Sequence, residues 1–171
     1  MKGYVQVYTG DGKGKTTAAL GLALRAAGAG KKVFIAQFLK GRASSELKSI
    51  ARLAPDITLK QYGRKNFILT QPDQRDIKKA RKGLEEVKNL ISSGAYDLII
   101  LDEINLLVHL KLISIEEILS LLDIKPASLE LVMTGRSAHP RLIDRADLVT
   151  EMLEIKHYYP RGVPARKGME K

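Results

Sequence analysis

Cysteine is absent from all 171 residues, which excludes a disulfide framework, a thiolate nucleophile and a cysteine zinc site. Aromatic residues are scarce at 5%, with no tryptophan, so an extended platform for stacking single-stranded bases is not expected. No apolar run approaches the ~20 residues needed to span a bilayer. The opening Met1-Lys2-Gly3 leads straight into a strand-like segment without secretory-signal features. A soluble, cytoplasmic protein is the expectation. The histidines His109, His139 and His157 lack the paired spacing of metal ligands. Acidic side chains are also in deficit, 19 against 29 Lys and Arg, for a net charge of +10. The excess is local. Residues 60–82 hold eight basic against two acidic side chains, residues 156–171 hold five against one, and the remainder balances. Such patches suit nucleic acid, a polyanionic small molecule or solubility alone, and charge by itself does not choose.

What is present is organised around Thr9-Gly-Asp-Gly-Lys-Gly-Lys-Thr-Thr17. An apolar-alternating run from Tyr4 to Tyr8 precedes it, and an alanine-rich helical pattern from Thr16 to Ala27 follows. Strand, glycine-rich turn, Gly-Lys-Thr and helix make a phosphate-binding loop. Glycines let successive backbone N–H groups turn inward, and the helix N-terminus adds its positive end. Lys15 is placed to reach the β- and γ-phosphates and Thr16 to bind Mg²⁺ through its hydroxyl. The spacing is shifted. The usual G-x-x-x-x-G-K-[ST] asks for glycine at position 9, where this chain has Thr9, with glycine at 10 and 12 instead.

The length suits a single domain spanning residues 1–171. Val33 to Phe38 reads as a buried strand, after Gly28, Gly30 and Lys31-Lys32 end the first helix. Residues 41–56 read as a loop and short helix, Ile57 to Tyr62 as a strand, and Gly63 to Asp73 as a surface loop carrying Phe67, Ile68 and Leu69. Ile77, Ala80, Leu84, Val87 and Ile91 recur at helical spacing, with Gly94 beyond the end. The apolar run from Tyr96 to Leu101 ends in Asp102-Glu103, and Ser114 with Glu117 forms a capping box for a helix to Leu122. Leu129 to Thr134 is a further buried strand, Pro140 to Ala146 a short helix, and Leu148 to Ile155 a last strand. The alternation predicts an α/β, P-loop NTPase-like fold: a mostly parallel sheet with helices on both faces.

A strand ending in Asp102-Glu103 delivers carboxylates to the carboxyl edge of the sheet, where ligands of open α/β sheets bind. There Asp102 or Glu103 can hold Mg²⁺, directly or through water, opposite Thr16. Glu103 can alternatively polarise an attacking water. Arg136, after a strand and Gly135, belongs at the same edge as a phosphate contact or a surface arginine. Arg25, two to three turns along the first helix, is either solvated or nucleotide-facing. Phe67 is equally a loop anchor or part of a ligand surface.

Taken together, the chain resembles the P-loop type of ATP:corrinoid adenosyltransferase. The resemblance rests on residues 9–19, Gln37-Phe-Leu-Lys-Gly41, Leu101-Asp-Glu-Ile-Asn105, Thr134-Gly-Arg136, Ala146-Asp-Leu-Val-Thr-Glu151, Ile155-Lys-His157 and Ala165-Arg-Lys-Gly-Met169. The shifted loop spacing is characteristic of that family. The resemblance implies transfer of the 5′-deoxyadenosyl group of ATP to the Co(I) of a reduced corrinoid, with Mg²⁺ (or Mn²⁺) as cofactor. It implies that Gly10, Asp11, Gly12, Lys13, Gly14, Lys15, Thr16 and Thr17 hold the triphosphate, with Arg136 as a second phosphate contact; Arg25 is counted among the ATP contacts on its place in the first helix alone. Lys15 and Glu103 would act catalytically, Thr16, Asp102 and Glu103 would serve the metal, and Phe67 would lie near the corrin.

The implied partners are ATP and cob(I)alamin or a corrinoid precursor, with room for a flavoprotein electron donor and a homodimer. A membrane is not among them. The chain lacks the N-terminal extension of some members and the aromatic residue that often closes the family sequence. Two other classes compete: a small basic P-loop ATPase acting on nucleic acid, and a nucleotide-dependent binding module without turnover. No Asp-x-His-x-x-Gly motif of base-off B12 modules is present, so corrinoid binding rests on the resemblance.

Overall fold

A computed structural model describes residues 2–64 and 72–170. Within them six parallel strands form one sheet: β1 (Val5–Thr9), β2 (Val33–Phe38), β3 (Ile57–Tyr62), β4 (Leu98–Asp102), β5 (Glu130–Thr134) and β6 (Leu148–Glu151), in the spatial order β3-β2-β4-β5-β1-β6. Six helices accompany them: α1 (Lys15–Gly28), α2 (Ser45–Ala51), α3 (Gln74–Ser93), α4 (Ile104–His109), α5 (Ile115–Asp123) and α6 (Pro140–Arg145). The P-loop NTPase-like α/β architecture follows the sequence reading.

The two faces of the sheet are separate cores, and strand alternation assigns each side chain to one of them. Phe34, Ala36 and Phe38 of β2, Ile99 and Leu101 of β4, and Leu131 and Met133 of β5 pack with α3, α4 and α5. Val33, Ile35, Leu98, Ile100 and Val132 face the other way, against Ala19 and Ala23 of α1 and Ile50 of α2. Both faces are covered, so β2 and β4 are buried at every position and read as continuous apolar runs. Fully burying one such Phe or Ile contributes roughly 1.5–3 kcal/mol.

Local chemistry sets the helix ends. The Asp73 side chain accepts from the N–H groups of Arg75 and Asp76 while Asp76 reaches back, a reciprocal capping box that opens α3. Gly94 closes α3 in the left-handed region at φ 67°. Ser114 and Glu117 cap α5 in the same reciprocal way. Midway along α3, Gly83 lets the helix touch the sheet: a Cβ there would lie 2.6 Å from the Tyr62 ring and 2.8 Å from Phe38. Two differences from the sequence reading stand out. α4 is an additional helix, and β6 stops at Glu151 rather than running to Ile155. Beyond Glu151 the backbone turns onto the phosphate loop, where the Met152 carbonyl accepts from the Gly12 N–H at 2.7 Å.

Candidate active site

The ends of β1, β2, β4 and β5 meet at the carboxyl edge of the sheet, as parallel strands require. Gly10 and Gly14 take φ values of 90° and 126°, a region that only glycine enters without strain. That explains the shifted motif. Thr9 is still strand, buried, and its hydroxyl accepts from the Ala138 N–H at 3.1 Å. The turn begins one residue later, so glycine is needed at 10. Gly12 is needed for a different reason: a Cβ there would lie 2.7 Å from the Met152 carbonyl oxygen and 2.6 Å from that of Leu153. The C-terminal segment presses on the loop from outside.

α1 starts with Gly14 as its N-cap, has no side-chain cap and carries no acidic residue in its first turn. Its leading N–H groups are therefore left to an external anion. Lys15 curls back over the loop, donating to the carbonyls of Gly10 at 2.6 Å and Gly12 at 2.7 Å. Burial pushes its ammonium below the ordinary lysine range, Arg136 adds to that, and Glu103 and Asp11 oppose it. A bound phosphate would reverse that penalty.

Asp102 is almost wholly buried and collects donors on both oxygens. Oδ1 accepts from the hydroxyls of Thr16 (2.8 Å) and Thr134 (2.7 Å). Oδ2 accepts from Lys40 Nζ (2.7 Å) and Gln37 Nε2 (3.3 Å), and Gln37 is itself held by Gln61 at 3.0 Å. β5 is the neighbour of β4, which is why Thr134 at its end can reach Asp102. The same Thr134 oxygen accepts from the Glu103 N–H at 3.1 Å, fixing Glu103 in the left-handed region at φ 65°. A non-glycine residue in that conformation is strained backbone of a kind that clusters at functional sites. Burial, then the neighbouring Asp102, holds the Glu103 carboxyl above the usual range, while Lys40, Lys15 and Arg136 pull it back.

These groups border a cavity of about 960 Å³. Asp11, Gly12, Lys13, Gly14, Lys15, Thr16, Thr17, Glu103 and Arg136 line it, so most of the expected site residues converge there. Gly10 lies beneath Lys15, and Asp102 beneath Thr16. Arg136 sits 3.7 Å from Asp11, both exposed. Leu20, Leu39, Leu106, Leu110 and Met169 form an apolar portion of the wall.

Arg25 is a correction to the expected ATP contacts. It is exposed in the last turn of α1 and is not among the residues lining the cavity, because ten helical positions carry it roughly 15 Å along the axis from Lys15. Lys13 lines the rim, but its ammonium is engaged elsewhere, at 2.6 Å from Glu170 and 3.0 Å from the Tyr158 hydroxyl. Phe67 lies outside the described residues.

Sequence reasoning did not place Gln37, Lys40, Thr134, Tyr158, Arg166 or Glu170 in the site. The first three stand inside motifs at strand ends, which is the signal that could have found them. The last three belong to a C-terminal strap. Glu170 accepts from Tyr158, from Lys13 and from Arg166 (3.1 Å), and Arg166 lies over the Tyr158 ring at 5.0 Å.

The oxygen donors suit Mg²⁺. Thr16, Asp102 and Glu103 are hard ligands, and an ammonium already sits against the Thr16 and Asp102 oxygens. Among the described residues no group of three or more His, Cys, Asp or Glu could hold a metal unaided.

Comparison with known proteins agrees in fold and in family. The solved RadB recombinase superposes with a TM-score of 0.58 at 17% identity, covering 91% of this chain and 77% of that one. A KaiC-like protein of Pyrococcus horikoshii gives 0.58 at 15%, covering 91% and 74%. The corrinoid adenosyltransferase of Pseudomonas aeruginosa is 36% identical over 170 residues, covering 99% of this chain and 84% of that protein. That of Escherichia coli is 34% identical, covering 99% and 86%, and that of Sinorhizobium sp. is 37% identical, covering 99% and 80%. With residues 1–170 matching the family described as ATP:corrinoid adenosyltransferase BtuR/CobO/CobP, the chain belongs to that family.

Proposed function

We propose that this protein transfers the 5′-deoxyadenosyl group of ATP to the Co(I) centre of a reduced corrinoid and releases intact triphosphate. One observation carries the reading beyond family membership. The cavity joins a phosphate cradle to an apolar wall of Leu39, Leu106 and Leu110, and its volume far exceeds what a triphosphate needs. Adenosine and the face of a macrocycle have somewhere to go.

The chemistry asks little of the protein. The Co(I) electron pair attacks C5′ and forms the Co–C bond, the C5′–O bond breaks with its bonding pair leaving on the triphosphate, and cobalt becomes formally Co(III). The chain therefore needs no nucleophile of its own, and it has no cysteine. What it must supply is charge where the leaving group becomes more negative. The open N-terminus of α1, the Lys15 ammonium and Arg136, which border one cavity, are the groups to supply it. Mg²⁺, when bound, would neutralise phosphate charge, held by Thr16 with Asp102 and Glu103. Thr134 holds the Asp102 carboxylate by donating its hydroxyl proton and the Glu103 backbone by accepting from its N–H. Phe67 is assigned to the corrin side on the strength of the family resemblance. A soluble, cytoplasmic setting, a flavoprotein reductant and a homodimer fit the same reading. Among the described residues no helix is long and apolar enough to cross a membrane.

The test is to mix protein, Mg²⁺, ATP and chemically reduced cob(I)alamin, follow the corrin spectrum and separate the phosphate products. The expected result is a light-sensitive adenosylated corrin with stoichiometric triphosphate. ADP released at one rate with or without corrinoid would make the protein an ATPase instead.

A further inference from the structure

Lys40 has no part in the reading so far, yet it sits at the centre of the metal position. Its Nζ lies 2.7 Å from Asp102 Oδ2 and 3.3 Å from Thr16 Oγ1, two of the oxygens assigned to Mg²⁺. The other groups bonded to the Asp102 carboxylate, from Thr16, Thr134 and Gln37, are neutral donors. The Asp102 side chain is 1% exposed, so its charge is desolvated and Lys40 is the ammonium that balances it.

The backbone that carries Lys40 is pinned. Leu39 takes a left-handed φ of 57° at the end of β2. A Cβ on Gly63 would fall 2.3 Å from the Lys40 nitrogen, and one on Gly41 would fall 2.6 Å from the Arg64 carbonyl carbon. The chain on both sides of Lys40 is therefore locked against the end of β3. Movement is left to the side chain, which is 27% exposed and lines the nucleotide cavity.

We infer that Lys40 is a resident counter-cation that yields its place to the metal and passes to the triphosphate. This rests on the nucleotide and metal reading above. Before substrate arrives, the ammonium holds Thr16 and Asp102 in their final arrangement without the cost of a bare buried carboxylate. A divalent ion on the same oxygens would repel an ammonium at contact distance in a low-dielectric site. Four flexible methylenes let that ammonium swing away, and beside the Glu46 and Glu103 carboxylates of the cavity wall the triphosphate is the most highly charged anion it can meet. Lys40 thus makes metal binding depend on nucleotide and ends as a further cation on the leaving group.

The experiment is Mn²⁺ binding, followed by the paramagnetic resonance of the free ion, with and without ATP and with no corrinoid present. Wild type should bind Mn²⁺ weakly alone and well with ATP. Lys40→Met should tighten Mn²⁺ alone by on the order of tenfold and weaken Mn²⁺ with ATP by several-fold, an inversion of sign. Lys40→Gln, which keeps a donor for Asp102 without the charge, should behave alike, and Lys40→Arg should stay near wild type. Tightening in both conditions would mean that Lys40 stays put and merely repels metal. No change, or weakening in both, would reduce it to a structural ion pair. Either outcome overturns the inference. Wild type that fails to hold Mn²⁺ better with ATP than ATP does by itself would instead overturn the metal reading on which it rests.

Discussion

At the scale of single residues, burial and charge pull against each other at Lys15. Burial disfavours its ammonium, and the two carbonyls it contacts are a partial substitute for phosphate. Lys15→Ala should therefore lower kcat/KM by roughly 10²–10³-fold, the scale of losing one electrostatic contact to developing charge. Circular dichroism should stay native, because the side chain is held for ligand and not for packing. Glu103 calls for a subtler test. Glu103→Gln keeps the shape of the strained corner and the Thr134 contact to its N–H but would remove the metal ligand proposed above. Its deficit should shrink as Mg²⁺ is raised, whereas a lost general base would not respond to metal. Gly135 shows what the corner next door tolerates. It sits at φ 135°, and a Cβ would meet the Leu106 nitrogen and Asn105 Cβ at 3.1 Å. Gly135→Ala should cost about 1–3 kcal/mol in denaturant unfolding, with ATP affinity falling as Arg136 is displaced.

Among the elements, all six strands were legible in the sequence: β2, β4 and β5 as apolar runs because both faces are covered, β1 and β3 through alternation, and β6, which is exposed, with its end placed too late. α4 was not. It opens on Glu103 in a left-handed conformation, with no side-chain cap, so none of the usual start signals precedes Ile104. The site divides the same way. The phosphate loop is local and was readable, whereas Lys40 and Asp102 meet across 62 residues and Lys13 and Glu170 across 157. Periodicity has no access to such pairs. The start of α3 offers a pH test of what capping contributes. Asp73 is held down to about 2 from an ordinary 3.8, first by its side-chain bonds to Arg75 and then by backbone donors and Arg64. A depressed carboxylate stabilises the fold above its unfolded value and loses that contribution as pH falls through the folded one. Asp73→Ala should lower the melting temperature by about 2–4 °C at neutral pH. The gap from wild type should narrow between pH 3.8 and 2 as Asp73 protonates. A gap that stays constant across that window would show that the charge contributes nothing and the cap geometry everything.

Over the whole molecule, the net charge of +10 is the feature that most invites a nucleic-acid reading. The structure commits part of the basic excess to internal ion pairs. Arg64 forms a two-pronged contact with Asp76, through Nε at 2.7 Å and Nη2 at 2.6 Å, and reaches Asp73 as well. Lys60 pairs with Glu86, Arg75 with Asp73, and Lys79 with the Gly63 carbonyl. At the other patch, Arg166 pairs with Glu170, which Lys13 of the phosphate loop also reaches. Cations committed to carboxylates within the fold release few counterions when a phosphate backbone approaches, and counterion release supplies most of non-specific affinity. Lys15 and Arg136, by contrast, border the cavity proposed for the nucleotide. Binding to a labelled single-stranded oligonucleotide should therefore be weak at low salt and lost by roughly 200 mM, with a shallow salt slope. ATP consumption should be indifferent to added DNA or RNA while adenosylation proceeds. Fluorescence anisotropy across a salt series, beside the triphosphate assay, measures both. Tight binding that persists at physiological salt and accelerates release of ADP would mean that the patches act together on a polynucleotide, and the adenosylation chemistry would then not be the protein's only use of ATP.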